Sequence, residues 1–195
     1  MNLPNKLTVS RLFMTVAFLA ALSTSFPFHE TVGLVLFVVG GLTDSLDGYL
    51  ARRDKLITNF GILMDPLADK IMVCSAFIAF VGLGWMPAWM VIIVVARELA
   101  ITGLRLLAAS KNVVLAAESY GKHKTTSQII TIIAVLVVES HDEWSWFGTI
   151  FAWQIMAKAW VIWFAELSKW VTVILTFVSG WLYLWRNRAL YLKDM

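Results

Sequence analysis

The 195-residue chain is 59% hydrophobic and only 15% charged, with a mean hydropathy of +0.76, whereas soluble domains carry about 25% charged residues. This excludes an ordinary soluble domain and predicts an integral membrane protein, all-α, whose chemistry is built from the helices themselves. The length accommodates roughly six crossings of about 20 residues each and no separate soluble domain, so one domain over residues 1–195 is expected. The formal net charge of +3 does not point to nucleic acid, because the basic residues sit at helix ends and not along one stripe.

Hydropathy and breakers predict crossings over Leu12–Phe28, Val32–Leu50, Pro66–Trp85, Ala88–Ala109, Thr125–Val138 with its flanks, and Trp170–Trp185. A short amphipathic N-terminal segment is expected before the first. Met1–Ser25 shares features with a signal peptide, but no soluble mature domain follows it, so it is read as retained. Cys74, the single cysteine, lies in an apolar run and reads as helix packing. Thr149–Leu167 is apolar and tryptophan-rich but interrupted by Gln154, Lys158 and Glu166. An interfacial segment on the outer leaflet is expected there, since a seventh crossing would carry the basic C-terminus to the wrong side. Lys6, Arg11, Arg52, Arg53, Lys55, Lys111, Lys122, Lys124, Arg186, Arg188 and Lys193 then fall on one side, which places both termini in the cytoplasm.

Four aspartates interrupt this apolar chain within a short stretch. Asp44 and Asp47 are three apart, followed by Gly48, Ala51 and Arg52; Gly61, Asp65 and Asp69 recur every four residues. On helices each set shares a face, and the small residues allow two such faces to approach. Carboxylates at close quarters repel unless protonated or bridged by cations, and an all-oxygen set favours hard ions such as magnesium, manganese or calcium. A two-metal centre that clamps a pyrophosphate for phosphoryl transfer is the natural reading, with Arg52 adding a charge-assisted contact. The bland alternative, helix-end caps and loop charges, accounts poorly for the whole pattern in register.

The block resembles the signature of the CDP-alcohol phosphatidyltransferases, D-x-x-D-G-x-x-A-R-x8-G-x-x-x-D-x-x-x-D, with every fixed position present. Asn5-Lys6-Leu7-Thr8 with Arg11 is similar to the family's N-terminal nucleotide-contacting segment. Arg97-Glu98, Arg105 and Gly121 to Thr125 resemble bacterial members that use glycerol 3-phosphate. The resemblance implies that Asp44, Asp47, Asp65 and Asp69 hold two divalent ions, Mg2+ or Mn2+, with Asp69 also the general base. It further implies CDP contacts from Asn5, Thr8, Gly48, Arg52, Thr58 and Gly61, a homodimer, membrane lipids as surroundings, and a bacterial inner-membrane location with the active site facing the cytoplasm.

The acceptor is argued from basic residues. Arg97 lies about eight residues, roughly 12 Å, beyond Trp89, too deep for simple snorkelling. Arg97 and Arg105 share a helix side, and with Lys122 and Lys124 they form an expected cationic pocket for an acceptor bearing its own phosphate. The plainer alternative pairs Arg97 with Glu98 and leaves the lysines to orientation. Glycerol 3-phosphate is the expected acceptor, which then attacks the lipid-bearing phosphorus of CDP-diacylglycerol and releases CMP; inositol phosphate is the alternative. A cation or proton-coupled transporter is the rival of another class. It is disfavoured because the second half of the chain contains no matching carboxylate set.

Overall fold

The computed structural model describes the backbone of residues 3–54, 59–111, 113, 120–144, 154–155 and 158–192. Side chains are described for residues 10–42, 70–111, 113, 124–141, 143–144, 160–188 and 190–191. Among the described residues the molecule is a helical bundle. Six long helices, α1 (Leu3–Ser23), α2 (His29–Asp54), α3 (Asn59–Gly82), α4 (Ala88–Ser110), α5 (Tyr120–Ser140) and α6 (Trp160–Arg186), are followed by a short α7 (Arg188–Leu192). One antiparallel pairing of two residues a side, Gln154–Ile155 with Lys158–Ala159, precedes α6.

The helices differ from expectation at their ends. α1 is unbroken from Leu3, so the expected N-terminal segment is continuous with the first apolar helix. α3 starts seven residues before Pro66, because hydropathy finds the apolar stretch while the helix also contains the polar aspartate turns. α6 begins at Trp160 and absorbs the second half of the segment expected to lie in the interface; the described remainder of that segment contains the short strand pairing. Among the described residues one helix, Trp160–Arg186, is long and apolar enough by itself to cross a membrane, and Ser10–Ser23, His29–Leu42 and Lys70–Gly82 are shorter apolar stretches.

Packing runs around the bundle. α1 lies against α2 and α3, α5 against α2, α3 and α6, and α4 against α3 and α6. The main core joins Phe18, Phe37, Phe77, Phe80, Val94 and Leu136, each nearly or fully buried. Polar groups are also inside: Thr131 of α5 donates its hydroxyl to the Ser168 carbonyl of α6 at 2.9 Å and lies 2.8 Å from the Thr172 hydroxyl. Such hydroxyl contacts join helices closely where the surroundings supply no water. The outward faces are the apolar ones, with Phe13, Val35, Ile78, Ile92, Ile130 and Ile174 exposed on successive long helices. This is the reverse of a soluble bundle, whose outer face is polar.

Two polar devices hold the end of the bundle away from the aspartates. Glu143 accepts hydrogen bonds from the backbone N–H groups of Glu30 and Thr31 at 3.3 and 2.9 Å, satisfying donors at the start of α2 that have no partner within the helix. Trp144 Nε1 donates to the Thr31 hydroxyl at 2.8 Å. Lys169 of α6 donates to the Trp85 carbonyl and to Glu166, both at 2.7 Å, tying α6 to the turn before α4. Gly84 in that turn has φ +77°, which a side chain would oppose.

Candidate active site

Asp44 and Asp47 fall in α2, and Asp65 and Asp69 in α3, on continuous helical backbone, so the three- and four-residue spacings do place each pair on one helix face. Their side chains, and those of Asn5, Thr8, Gly48, Arg52, Gly61 and Lys122, lie outside the described residues; Thr58 lies outside them entirely. The backbones of Asn5 and Thr8 belong to α1, and that of Lys122 to α5.

One side-chain contact between the two aspartate helices is described a turn away from the carboxylates. A Cβ placed on Gly40 of α2 would sit 2.6 Å from Met72 Cε and 2.9 Å from its Sδ on α3. Gly40 precedes Asp44 by four residues and Met72 follows Asp69 by three. This contact of a long side chain with a glycine therefore adjoins, on both helices, the turn that carries Asp44 or Asp69. The donor set fits divalent ions: four aspartates, oxygen donors only, stand in helical register on α2 and α3.

Beside that contact lies a cavity of about 370 Å³, lined by Arg11 of α1, Gly40 and Leu42 of α2, Met72 of α3, and Thr125 and Ile129 of α5. Its walls are largely apolar, with the buried Arg11 as the charged member.

The basic residues expected to bind the acceptor are partly brought together, through an acid. Glu98 of α4 is buried, and its carboxylate is the hub. Lys124 of α5 donates to Oε1; Arg97 Nη1 lies 3.4 Å and Gln128 Nε2 3.2 Å from the same oxygen. Lys70 of α3 is 3.6 Å from Oε2 and donates to the Thr102 hydroxyl, which in turn donates to the Glu98 carbonyl at 2.8 Å. Arg105 stands apart on α4, its Nε donating to the Tyr183 hydroxyl at 3.4 Å and its guanidinium 5.7 Å from that ring's centroid. Three helices thus converge on one carboxylate, and Arg97 pairs with Glu98 beside Lys70 and Lys124.

Lys70, Thr102 and Gln128 had no place among the expected site residues. The signal was available for Lys70 alone, as a lysine next to Asp69 inside an otherwise apolar run, where a charge needs a partner. Thr102 and Gln128 are ordinary polar positions until the fold is known.

A family model described as CDP-alcohol phosphatidyltransferase matches residues 1–178. The chain is 39% identical over 198 aligned residues to the CDP-diacylglycerol--glycerol-3-phosphate 3-phosphatidyltransferase of Bacillus subtilis, covering 95% of each chain. It is 29% identical to the protein of the same name from Cereibacter sphaeroides, over 99% of this chain and 98% of the other. A third relative so named, from Mycoplasma pneumoniae, is 37% identical over 68% of this chain and 66% of its own. With the signature aspartates in register on two helices and the match extending over nearly the whole length, the chain belongs to the CDP-alcohol phosphatidyltransferase family.

Proposed function

We propose that this chain transfers the phosphatidyl group of CDP-diacylglycerol to glycerol 3-phosphate, giving phosphatidylglycerophosphate and CMP. The carrying observation is the pair of aspartate sets in helical register on α2 and α3, adjoining the Gly40–Met72 side-chain contact. The relatives from Bacillus subtilis and Cereibacter sphaeroides carry a name that specifies this donor and this acceptor.

Asp44, Asp47, Asp65 and Asp69 would hold two divalent ions, Mg2+ or Mn2+, whose charge stabilises that developing on the phosphates. Arg52 supplies a further charge-assisted contact to the pyrophosphate, and Asn5, Thr8, Gly48, Thr58 and Gly61 contact the CDP group. Asp69 takes the proton of the acceptor hydroxyl as its oxygen bonds to the diacylglycerol-bearing phosphorus. The bond from that phosphorus to the bridging oxygen breaks, and CMP leaves. Arg97, Arg105, Lys122 and Lys124 supply positive charge for the acceptor's own phosphate. The cavity, apolar but for Arg11 and Thr125, suits the part of a lipid next to its anionic head.

The protein is read as a multi-pass component of a bacterial inner membrane, six helices crossing and the active site facing the cytoplasm, in a homodimer. The exposed apolar residues on all six long helices, with hydroxyls and charges inside, support the membrane setting. Purified protein given CDP-diacylglycerol and Mg2+ is expected to release CMP with glycerol 3-phosphate and far more slowly with inositol phosphate or serine. Faster turnover with inositol phosphate would overturn the acceptor. Ion flux in liposomes without CMP release would favour the transporter instead.

A further inference from the structure

The Glu98 cluster contains one group that the reading above leaves without a task. Lys70 directly follows Asp69 in α3, and its ammonium reaches α4, where it lies 3.6 Å from Glu98 Oε2 and donates to the Thr102 hydroxyl. Consecutive helical residues are 1.5 Å apart along the axis and about 100° apart around it. Positions 69 and 70 therefore occupy different faces of α3 at one level of the helix. A small acceptor with a hydroxyl at one end and a phosphate at the other needs groups so arranged.

Exposure separates the cations of the cluster. The side chains of Glu98 and Lys124 are each only 5% accessible, whereas Arg97 is 13% and Lys70 28% accessible. Lys124, held against the carboxylate, adds its charge from behind; the cations of the cluster that an incoming molecule reaches directly are Lys70 and Arg97. Three cations share one carboxylate, so among these four side chains positive charge is in excess. Arg97 also keeps a buried Nε without an acceptor among the described residues. A guanidinium offers five N–H donors, and a phosphate matches them in geometry and sign.

We propose that Lys70 is a specificity-determining residue that, with Arg97, takes the phosphate of the acceptor alcohol, and that Glu98 is the positioning residue that sets both cations. The inference rests on the preceding reading that the acceptor carries a phosphate, and it names the residues that select for it. An alcohol without a phosphate leaves the buried Arg97 Nε unanswered, which is the circumstance in which a polar site discriminates strongly. Thr102 and Gln128 complete the support by fixing Lys70 and Glu98 from α4 and α5.

The test uses the full-length enzyme in lipid nanodiscs with Mg2+, following CMP release while each substrate is varied in turn. Lys70→Gln is expected to raise KM for glycerol 3-phosphate about tenfold or more while KM for CDP-diacylglycerol moves less than about twofold. Lys70→Arg should recover most of the loss, and Glu98→Gln, equal in shape but without charge, should reproduce it. Thr102→Val keeps the side-chain shape and removes only the hydroxyl, so it serves where loss of a buried charge prevents folding. It should raise KM for glycerol 3-phosphate about threefold. An unchanged KM for glycerol 3-phosphate in Lys70→Gln or Thr102→Val, or equal rises for both substrates, overturns the proposal. Wild-type turnover fastest with inositol phosphate, with the same Lys70 dependence, overturns glycerol 3-phosphate as acceptor and leaves the Lys70 assignment standing. Wild-type turnover fastest with an alcohol that bears no phosphate overturns both.

Discussion

Gly180 of α6 lies directly against the side chain of Arg97 of α4: a Cβ at Gly180 would stand 2.7 Å from Arg97 Cγ and 3.6 Å from its Cβ. The contact is near the root of the arginine, where rotation about the outer bonds gives no relief. Arg97 is held from the other side by Glu98, so the missing methyl group at position 180 lets a long cation stand upright between two helices. The same stretch of α4 and α6 borders an apolar recess of about 310 Å³ lined in part by Ile93, Ala96, Phe177 and Leu184.

Gly180→Val is accordingly expected to displace Arg97 and lower kcat/KM for glycerol 3-phosphate by roughly tenfold to a hundredfold, as misplacement of about an ångström does in other sites. Gly180→Ala should be milder. Full activity of the valine variant, measured by CMP release at limiting acceptor, would show that the position of Arg97 does not limit turnover.

The aspartate positions were legible because helical spacing is a property of sequence alone: three- and four-residue intervals among apolar neighbours need no tertiary information to imply a shared face. Gly40 was not legible as the contact with Met72, since a glycine inside an apolar helix can serve packing, bending or nothing in particular. Glu98 was visible as the neighbour of Arg97, but its partners come from α3, α4 and α5. Such a hub forms only when helices distant in sequence are placed side by side. The bounds of α3 and α6 were misjudged for a related reason. Hydropathy marks where a chain prefers lipid, whereas helical hydrogen bonding continues through Asp65 before the apolar run and through Glu166 in the stretch assigned to the interface.

Asp69→Asn keeps size and hydrogen-bonding capacity but removes the basic oxygen. Turnover is expected to fall below detection while CDP-diacylglycerol binding, followed by displacement of labelled nucleotide, is weakened but retained. Activity equal to wild type would remove Asp69 from the role of base.

Chelation should abolish CMP release, and added Mg2+ or Mn2+ should restore it, because the expected ligands are all carboxylates. Binding should also appear as stability. At a metal concentration about 100 times the dissociation constant, the folded state gains about 2.7 kcal/mol, read as a raised melting temperature. Asp44→Asn with Asp65→Asn should lose most of that rise; retention of the full rise would place the ions elsewhere.

Glu143 offers a contrast at the opposite end of α2. It serves the N–H groups of Glu30 and Thr31, and His29 Nδ1 lies 3.5 Å from its Oε1, so its task is to end a helix neatly and to fasten the segment after α5 to it. Replacing a capping oxygen by a methyl group costs about 1 kcal/mol. Glu143→Ala is therefore expected to lower the melting temperature by a few degrees while leaving KM for both substrates unchanged in the folded fraction. The reason is distance along the helix: Thr31 precedes Asp44 by 13 residues, which at 1.5 Å per residue is about 20 Å. A shift in KM for either substrate would mean that the capped end of α2 and the aspartate turn are mechanically coupled through the helix. A variant melting like wild type would mean that water replaces the carboxylate at no cost.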